Sequence, residues 1–197
     1  MLAIGCDPGL SGAIALVDGQ QRLIECASLP TRSNGSKGTV KSMLDANALA
    51  RLLDAWATRH GEPTRAAVER MFARPAQRDA QPTPGKALPA PSTATLLSMG
   101  YTAGAVEGVL WAMFGEVEGF TVLRPMPQQW KATYGLKSDK AASVLLARRL
   151  FLPRSAPARL RHDLAEAALI AHWATGGISI AAAQIGRAPA EAEACAF

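Results

Sequence analysis

The run Leu2-Ala3-Ile4-Gly5-Cys6-Asp7 restricts most what this chain can become. Leu2, Ile4 and Cys6 alternate with Ala3, Gly5 and Asp7, so an extended backbone carries Asp7 to the face opposite Cys6. The stretch Pro8-Gly9-Leu10-Ser11-Gly12 then turns the chain back into a second apolar run, Ala13 to Asp18. Pro8 fixes φ, while Gly9 and Gly12 permit the positive φ and the close backbone approach that a turn around a bound ion or phosphate needs. A buried strand that ends in Asp at a glycine turn serves either as a rigid ligand holder or as a plain turn.

Asp18-Gly19-Gln20 is a hairpin signal leading into a third apolar run over 21–29, so an antiparallel meander opens the domain. Residues 31–42 are polar and glycine-rich and read as a flexible basic loop. Leu44, Ala48, Leu49, Leu52, Leu53 and Trp56 then recur at helical spacing, in a helix that ends at Gly61 and Pro63 and covers the sheet. Residues 64–69 form a fourth strand ending in Glu69, and the segment 73–92, dense in Pro, Gln, Ala and Arg, forms no element. A helix over 93–116, a strand over 120–123, a basic helix over 138–150 and a last helix over 161–175 follow, the last stopping at Gly176-Gly177. The alanine-rich remainder lacks periodicity. The expectation is one α/β domain over 1–176, with helices flanking a mixed five-stranded sheet, and a weakly ordered tail over 177–197.

At 197 residues and 49% hydrophobic content, the chain buries one full core and has no room for a second. An actin-like or sugar-kinase phosphotransferase, which also begins with a strand, an Asp and a glycine turn, needs a second such domain. A transposase needs a further DNA-binding domain. A catalytically inactive protein that binds branched DNA stays open as an alternative. No apolar run reaches the roughly 20 residues of a membrane span and no signal-type segment leads the chain, so a soluble, cytoplasmic protein is expected. Cys6, Cys26 and Cys195 lack metal-type spacing, which fits a reducing compartment, and the first two read as small buried hydrophobes. A formal charge of +5 and a pI near 9.4 suit a polyanionic partner. Lys37, Lys41, Arg70, Arg74, Arg78, Lys86, Lys131, Lys137 and Lys140 fall in turns and helix starts, where they can face phosphates.

The chemistry resides in acids that finish or begin ordered elements. Asp7 ends the first strand and Glu69 the fourth, while Asp163 and Glu166 share one helical face at i, i+3. Singly, each has a plainer reading: Asp163 and Glu166 as helix-start acids, Glu69 as a surface acid paired with Arg65 or Arg70. Together, four oxygen ligands suit hard cations such as Mg²⁺, and two such ions about 3.5–4 Å apart clamp the attacking and leaving oxygens of a phosphodiester. His162 is either a solvated helix-start residue or a group acting on the leaving group or the water. Trp56, Trp111 and Trp173 read as core, with Trp130 open because it adjoins Lys131. Arg148 and Arg149 read as a solvated helix end, with phosphate contact as the alternative. Gly100, Ala103, Gly104 and Gly108 let two helices approach closely, either inside the domain or in a two-fold dimer.

Ile4-Gly5-Cys6-Asp7-Pro8-Gly9 with Gly12, Val68-Glu69-Arg70-Met71-Phe72, Gln128-Gln129-Trp130-Lys131, Ser138-Asp139-Lys140 and Asp163-Leu164-Ala165-Glu166-Ala167-Ala168 resemble, in order and spacing, the RuvC-type Holliday-junction resolvases of the RNase H-like superfamily. The likeness spans about residues 2–175. It implies a dimeric endonuclease that uses Mg²⁺, two per site with Mn²⁺ as a possible substitute, and nicks opposing strands of a four-way DNA junction symmetrically in recombination and repair. Carried over by position, Asp7, Glu69, Asp163 and Glu166 look like the four metal ligands. Lys131 and Lys140 look like the basic residues near the scissile phosphate, and Phe72 like the aromatic that stacks on bases near the crossover. Arg70, Arg74 and Lys137 are further DNA-contact candidates. Glu166 stands where bacterial members usually carry Asp. The Pro-rich insertion after Phe72 and the C-terminal tail also depart from the bacterial form and look more like a phage or prophage version.

Overall fold

The computed structural model describes residues 1–9, 11–35, 42–71, 93–137, 139–151 and 160–176. Three antiparallel strands, β1 (Leu2–Asp7), β2 (Ala13–Asp18) and β3 (Leu23–Ser28), form the meander expected from the alternating runs. Two short strands, β4 (Thr31–Ser33) and β5 (Ser42–Leu44), pair with each other, so the ends of the expected basic loop are strands, while 36–41 lie outside the described residues. Helix α1 (Ala46–His60) starts at Asp45, whose carboxylate accepts from the Ala48 N–H at 2.9 Å, and ends at Gly61 with φ 93°. Strand β6 (Arg65–Val68) follows, then α2 (Thr93–Phe114), β7 (Thr121–Leu123), α3 (Pro127–Thr133), α4 (Lys140–Phe151) and α5 (His162–Ala174). The expected insertion at 73–92 and tail at 177–197 lie outside the described residues.

β6 adds in parallel to β1 and β7 in parallel to β6, giving the five-stranded order β3-β2-β1-β6-β7. The sheet is mixed, as the sequence pattern implied. Its two faces are sorted by strand parity. Ile4, Cys6, Ile14, Leu16, Ala66 and Val68 pack with Leu49, Leu53 and Trp56 of α1 and Val106, Leu110 and Phe114 of α2. Ala3, Ala13, Ala15, Val17 and Ala67 face the other way, onto Ala165, Ala167, Ala168, Leu169, Ile170 and Ala171 of α5.

This second face is built from small side chains, and that brings α5 onto the sheet backbone. A Cβ placed on Gly5 would stand 2.1 Å from the Ala171 nitrogen and 2.3 Å from the Ala167 oxygen. At the turn after β1, Gly12 is required for the same reason: a Cβ there would meet the Asp7 carbonyl oxygen at 2.3 Å. Of the two uses that glycine permits there, positive φ is found at neither Gly9 nor Gly12, and close approach at Gly12 is the constraint that operates.

Two further expectations change. Trp111 was assigned to the core by its spacing, yet it is 44% exposed and stacks edge-on against Phe120 at 5.4 Å, because α2 presents this side to solvent. Trp130 is fully buried. On α2, a Cβ at Gly100, Gly104 or Gly108 would meet nothing within 4 Å, so this small-residue face is not used for packing among the described residues.

Candidate active site

Strand parity puts the acids on one face. Asp7 shares parity with Ala3 and Gly5, and Glu69 with Ala67, so both carboxylates emerge on the α5 side of neighbouring parallel strands. The pairing runs one step beyond β6, where the Glu69 N–H donates to the Cys6 carbonyl at 2.9 Å. Helix α5 begins at His162, with Arg161 at its N-cap, and presents Asp163 and Glu166 at i, i+3 from its first turns toward the same ends of the strands. Asp163 and Glu166 are buried, at 8% and 5% exposure. The structure therefore brings together all four acids anticipated from the sequence.

Their charges act on one another. Burial pushes the Asp7 carboxyl up, and the Glu166 and Asp163 carboxylates add to this; the Gly9 N–H, which donates to Oδ1 at 3.2 Å, and His162 work against it. Burial likewise raises Glu69, to about 7, with Asp7 and Glu166 contributing, although the Trp130 indole donates to its Oε2 at 2.6 Å and Lys131 adds a positive charge. Asp163 differs. Burial pushes it up, but the Arg161 guanidinium and nearby backbone N–H groups outweigh this and hold it below its ordinary value.

Glu166 Oε1 is the most crowded atom of the cluster. Lys131 Nζ lies 2.7 Å from it, the Ser143 hydroxyl of α4 donates to it at 3.1 Å, and His162 Nε2 stands 3.2 Å away. The His162 contact has an ion-pair distance but not hydrogen-bond geometry, leaving its Nε2 buried without a hydrogen bond. Lys131 also lies 5.0 Å from the centroid of the Trp130 ring. One two-turn helix, α3, thus supplies a donor for Glu69 and a cation for Glu166.

Lys140 is exposed at the start of α4, one turn before Ser143, and touches none of the acids among the described residues. Arg70 and Lys137 are also exposed. Phe72 and Arg74 lie outside the described residues. Three contributors were not anticipated: Trp130 as the partner of Glu69, Arg161 as the partner of Asp163, and Ser143. For Trp130 and Arg161 the signal was adjacency to Lys131 and Asp163; nothing in the sequence marked Ser143.

The donor set suits a hard divalent cation. It consists of oxygens, two of its carboxyls are raised by burial and further by their acidic neighbours, a charge that a cation would relieve, and a buried imidazole nitrogen beside it has no hydrogen-bond partner. Among the described residues, however, no three such groups stand close enough together to hold an ion. Lys131 on Glu166 and Arg161 on Asp163 occupy oxygens that a cation would use.

No protein-family model matches the sequence, and no curated protein does. Solved structures do. RuvC of T. thermophilus in complex with a Holliday junction substrate aligns with a TM-score of 0.57 at 19% identity, over 95% of this chain and 98% of that one. A second Thermus thermophilus RuvC structure aligns with a TM-score of 0.56 at 20% identity, over 94% and 97%. This chain has the RuvC fold. The likeness extends over nearly the whole length of both chains.

Proposed function

We propose that this chain is a divalent-metal-dependent endonuclease that resolves four-way DNA junctions by paired nicks. The observation that carries the reading is that Asp7, Glu69, Asp163 and Glu166, from two adjacent strand ends and one helix start, lie near enough to act on one another's charge in one partly buried cluster. A fold shared with a protein whose structure was solved in complex with a Holliday junction substrate supports the choice of substrate. A basic chain with +5 formal charge supports a polyanion as partner. Mg²⁺, with Mn²⁺ as a substitute, is the cation best matched to an all-carboxylate set that shares its remaining positions with phosphate and water.

The chain's own residues have separable tasks. Asp7, Glu69, Asp163 and Glu166 hold the cations, which when bound supply charge neutralisation at the phosphate and lower the pKa of water. Trp130 fixes the orientation of Glu69 by its short indole hydrogen bond. Lys131 neutralises Glu166 until the phosphate arrives and then offsets charge building on the phosphoryl oxygens. Lys140, exposed at the start of α4, contacts the DNA backbone from the rim. His162, whose Nε2 stands 3.2 Å from Glu166 Oε1, acts on the water or the leaving oxygen.

A junction with two-fold symmetry requires two sites related by the same axis. The uncovered α2 face with Gly100, Gly104 and Gly108, flanked by exposed Leu97, Tyr101 and Trp111, suits a C₂ homodimer contact. Among the described residues no helix is long and apolar enough to cross a membrane, which suits a protein acting on DNA.

The test incubates purified protein with labelled four-way, three-way and linear duplexes, with and without Mg²⁺, and maps the cuts. Paired, symmetric, Mg²⁺-dependent nicks on the four-way substrate are expected. In Asp7→Asn cutting is lost while junction binding stays equal or tightens, since one negative charge near DNA is removed. Junction binding without any nicking by the native chain would reassign it as a branched-DNA-binding protein, and Asp7→Asn cutting at the native rate would remove Asp7 from the site.

A further inference from the structure

Behind the acids runs a buried column of rings that the proposed chemistry does not use. It starts at Trp130, whose indole holds Glu69, and continues through Tyr134 at 6.5 Å between ring centroids. His172 follows at 5.9 Å and Phe151 at a further 5.8 Å. Tyr134 is 4% and His172 1% exposed.

The polar atoms of this column form a closed set. The Tyr134 hydroxyl lies 2.8 Å from His172 Nδ1 and 3.2 Å from the Leu169 carbonyl oxygen, while His172 Nε2 lies 3.1 Å from Gln21 Oε1. A neutral imidazole donates from one nitrogen and accepts at the other. With the Gln21 amide oxygen toward the ring, Nε2–H donates to Gln21 and Nδ1 accepts from the Tyr134 hydroxyl, so both ring nitrogens are satisfied. Burial pushes His172 down to about 4 and Tyr134 up, which keeps both neutral around pH 7.

The far end of this chain is unusual. Gln21, in the turn between β2 and β3, has φ 62° and is the one non-glycine with positive φ among the described residues. A backbone held in that region by its surroundings points to a role for what it carries. Here it carries the amide that receives His172.

The near end is α3, a helix of 7 residues, too short to persist without tertiary contacts. Its start is fixed by Gln129, whose side chain accepts from the Met126 N–H at 2.7 Å. Its end is fixed through Tyr134. Trp130 and Lys131 project from between these two anchors.

We propose that Tyr134 and His172 are positioning residues: their hydrogen-bonded pair, anchored on Gln21, pins the end of α3 against α5 and so sets the reach of Trp130 to Glu69 and of Lys131 to Glu166. The nicking part of this inference rests on the proposed nuclease; the geometric part does not.

The experiment compares the native chain with Tyr134→Phe, His172→Gln, His172→Leu and Gln21→Gly by ¹H–¹⁵N correlation of the indole N–H groups and by nicking of a four-way junction. Four tryptophans give four indole signals, and that of Trp130, bonded to a carboxylate, is expected far downfield. In Tyr134→Phe, which keeps the ring and removes one hydrogen bond, the Trp130 signal moves upfield and the other three stay. The same loss lowers kcat about fivefold with junction affinity unchanged. His172→Gln, which keeps a donor and an acceptor, retains more of both readouts than His172→Leu. Gln21→Gly, which relieves the backbone and removes the anchor, reproduces the indole shift in a folded protein. A lowered melting temperature with the Trp130 signal and kcat both unmoved would reduce the pair to a purely structural role and overturn the proposal. Absence of nicking by the native chain would strike the nuclease reading, while the indole signals would still decide the positioning.

Discussion

Replacing Glu69 by Gln should stabilise the metal-free protein at alkaline pH. A carboxyl that titrates near 7 instead of its ordinary 4.5 has lost about 3 kcal/mol of preference for its charged form. The cause is burial first, with Asp7 and Glu166 close by. Because the folded value is the higher one, Glu69 contributes most below about pH 4.5, and that contribution is lost as the pH rises to 7 and beyond. Partial contact with solvent reduces the loss to about 2 kcal/mol. A Gln side chain still accepts from the Trp130 indole and carries no charge. In buffer with a chelator, Glu69→Gln is therefore expected to melt about 4–8 °C above the native chain at pH 8.5 and close to it at pH 4.5. Added Mg²⁺ should close the gap by raising the native chain alone, since an ion bound at the carboxylate stabilises its ionised form. Thermal melts over pH 4.5–8.5 decide the matter. A gap of constant size across that range, or a variant less stable than the native chain at pH 8.5, would refute the view that Glu69 sits in an anionic, partly desolvated cluster.

Other outcomes follow from the same geometry. Gly5→Ala places a methyl group within 2.1–2.7 Å of the α5 backbone, so a loss of at least about 3 kcal/mol is expected in urea unfolding; a near-native midpoint would show that α5 is not seated as described. Trp130→Phe removes the group that lowers the Glu69 carboxyl, so calorimetry should find weaker Mg²⁺ binding at neutral pH, recovering as the pH is raised. Junction affinity, measured by fluorescence anisotropy, should fall linearly on a log–log plot against salt with a slope of about −4 or steeper, and a flat plot would argue against contact with the phosphate backbone.

Much of this arrangement was legible in the sequence because period-2 alternation encodes facing. Ala3, Gly5 and Asp7 share a parity, as do Ala67 and Glu69, and the i, i+3 spacing of Asp163 and Glu166 fixes their common side. What escaped depended on contacts between elements distant in sequence. Trp130 reaches Glu69 across 61 positions and Ser143 reaches Glu166 across 23, and neither partner has a local pattern that names the other. The exposure of Trp111 escaped for a related reason: the spacing within α2 is apolar on more than one side, so periodicity cannot choose which side the sheet takes. At Gly12 the sequence left two uses open, positive φ and close approach, and the structure takes the second, since glycine answers both to backbone torsion and to lack of room.

The seating of α5 on bare strand backbone at Gly5 makes the gap between Asp7 and its two helical counterparts a main-chain dimension. Side-chain drift elsewhere in the core leaves that gap alone, and segments joined at the rim can be exchanged without retuning it. In the nuclease proposed above, variation among chains built this way is channelled into which DNA is admitted, while the spacing at which a phosphodiester would be gripped stays fixed by the meeting of one helix and one strand.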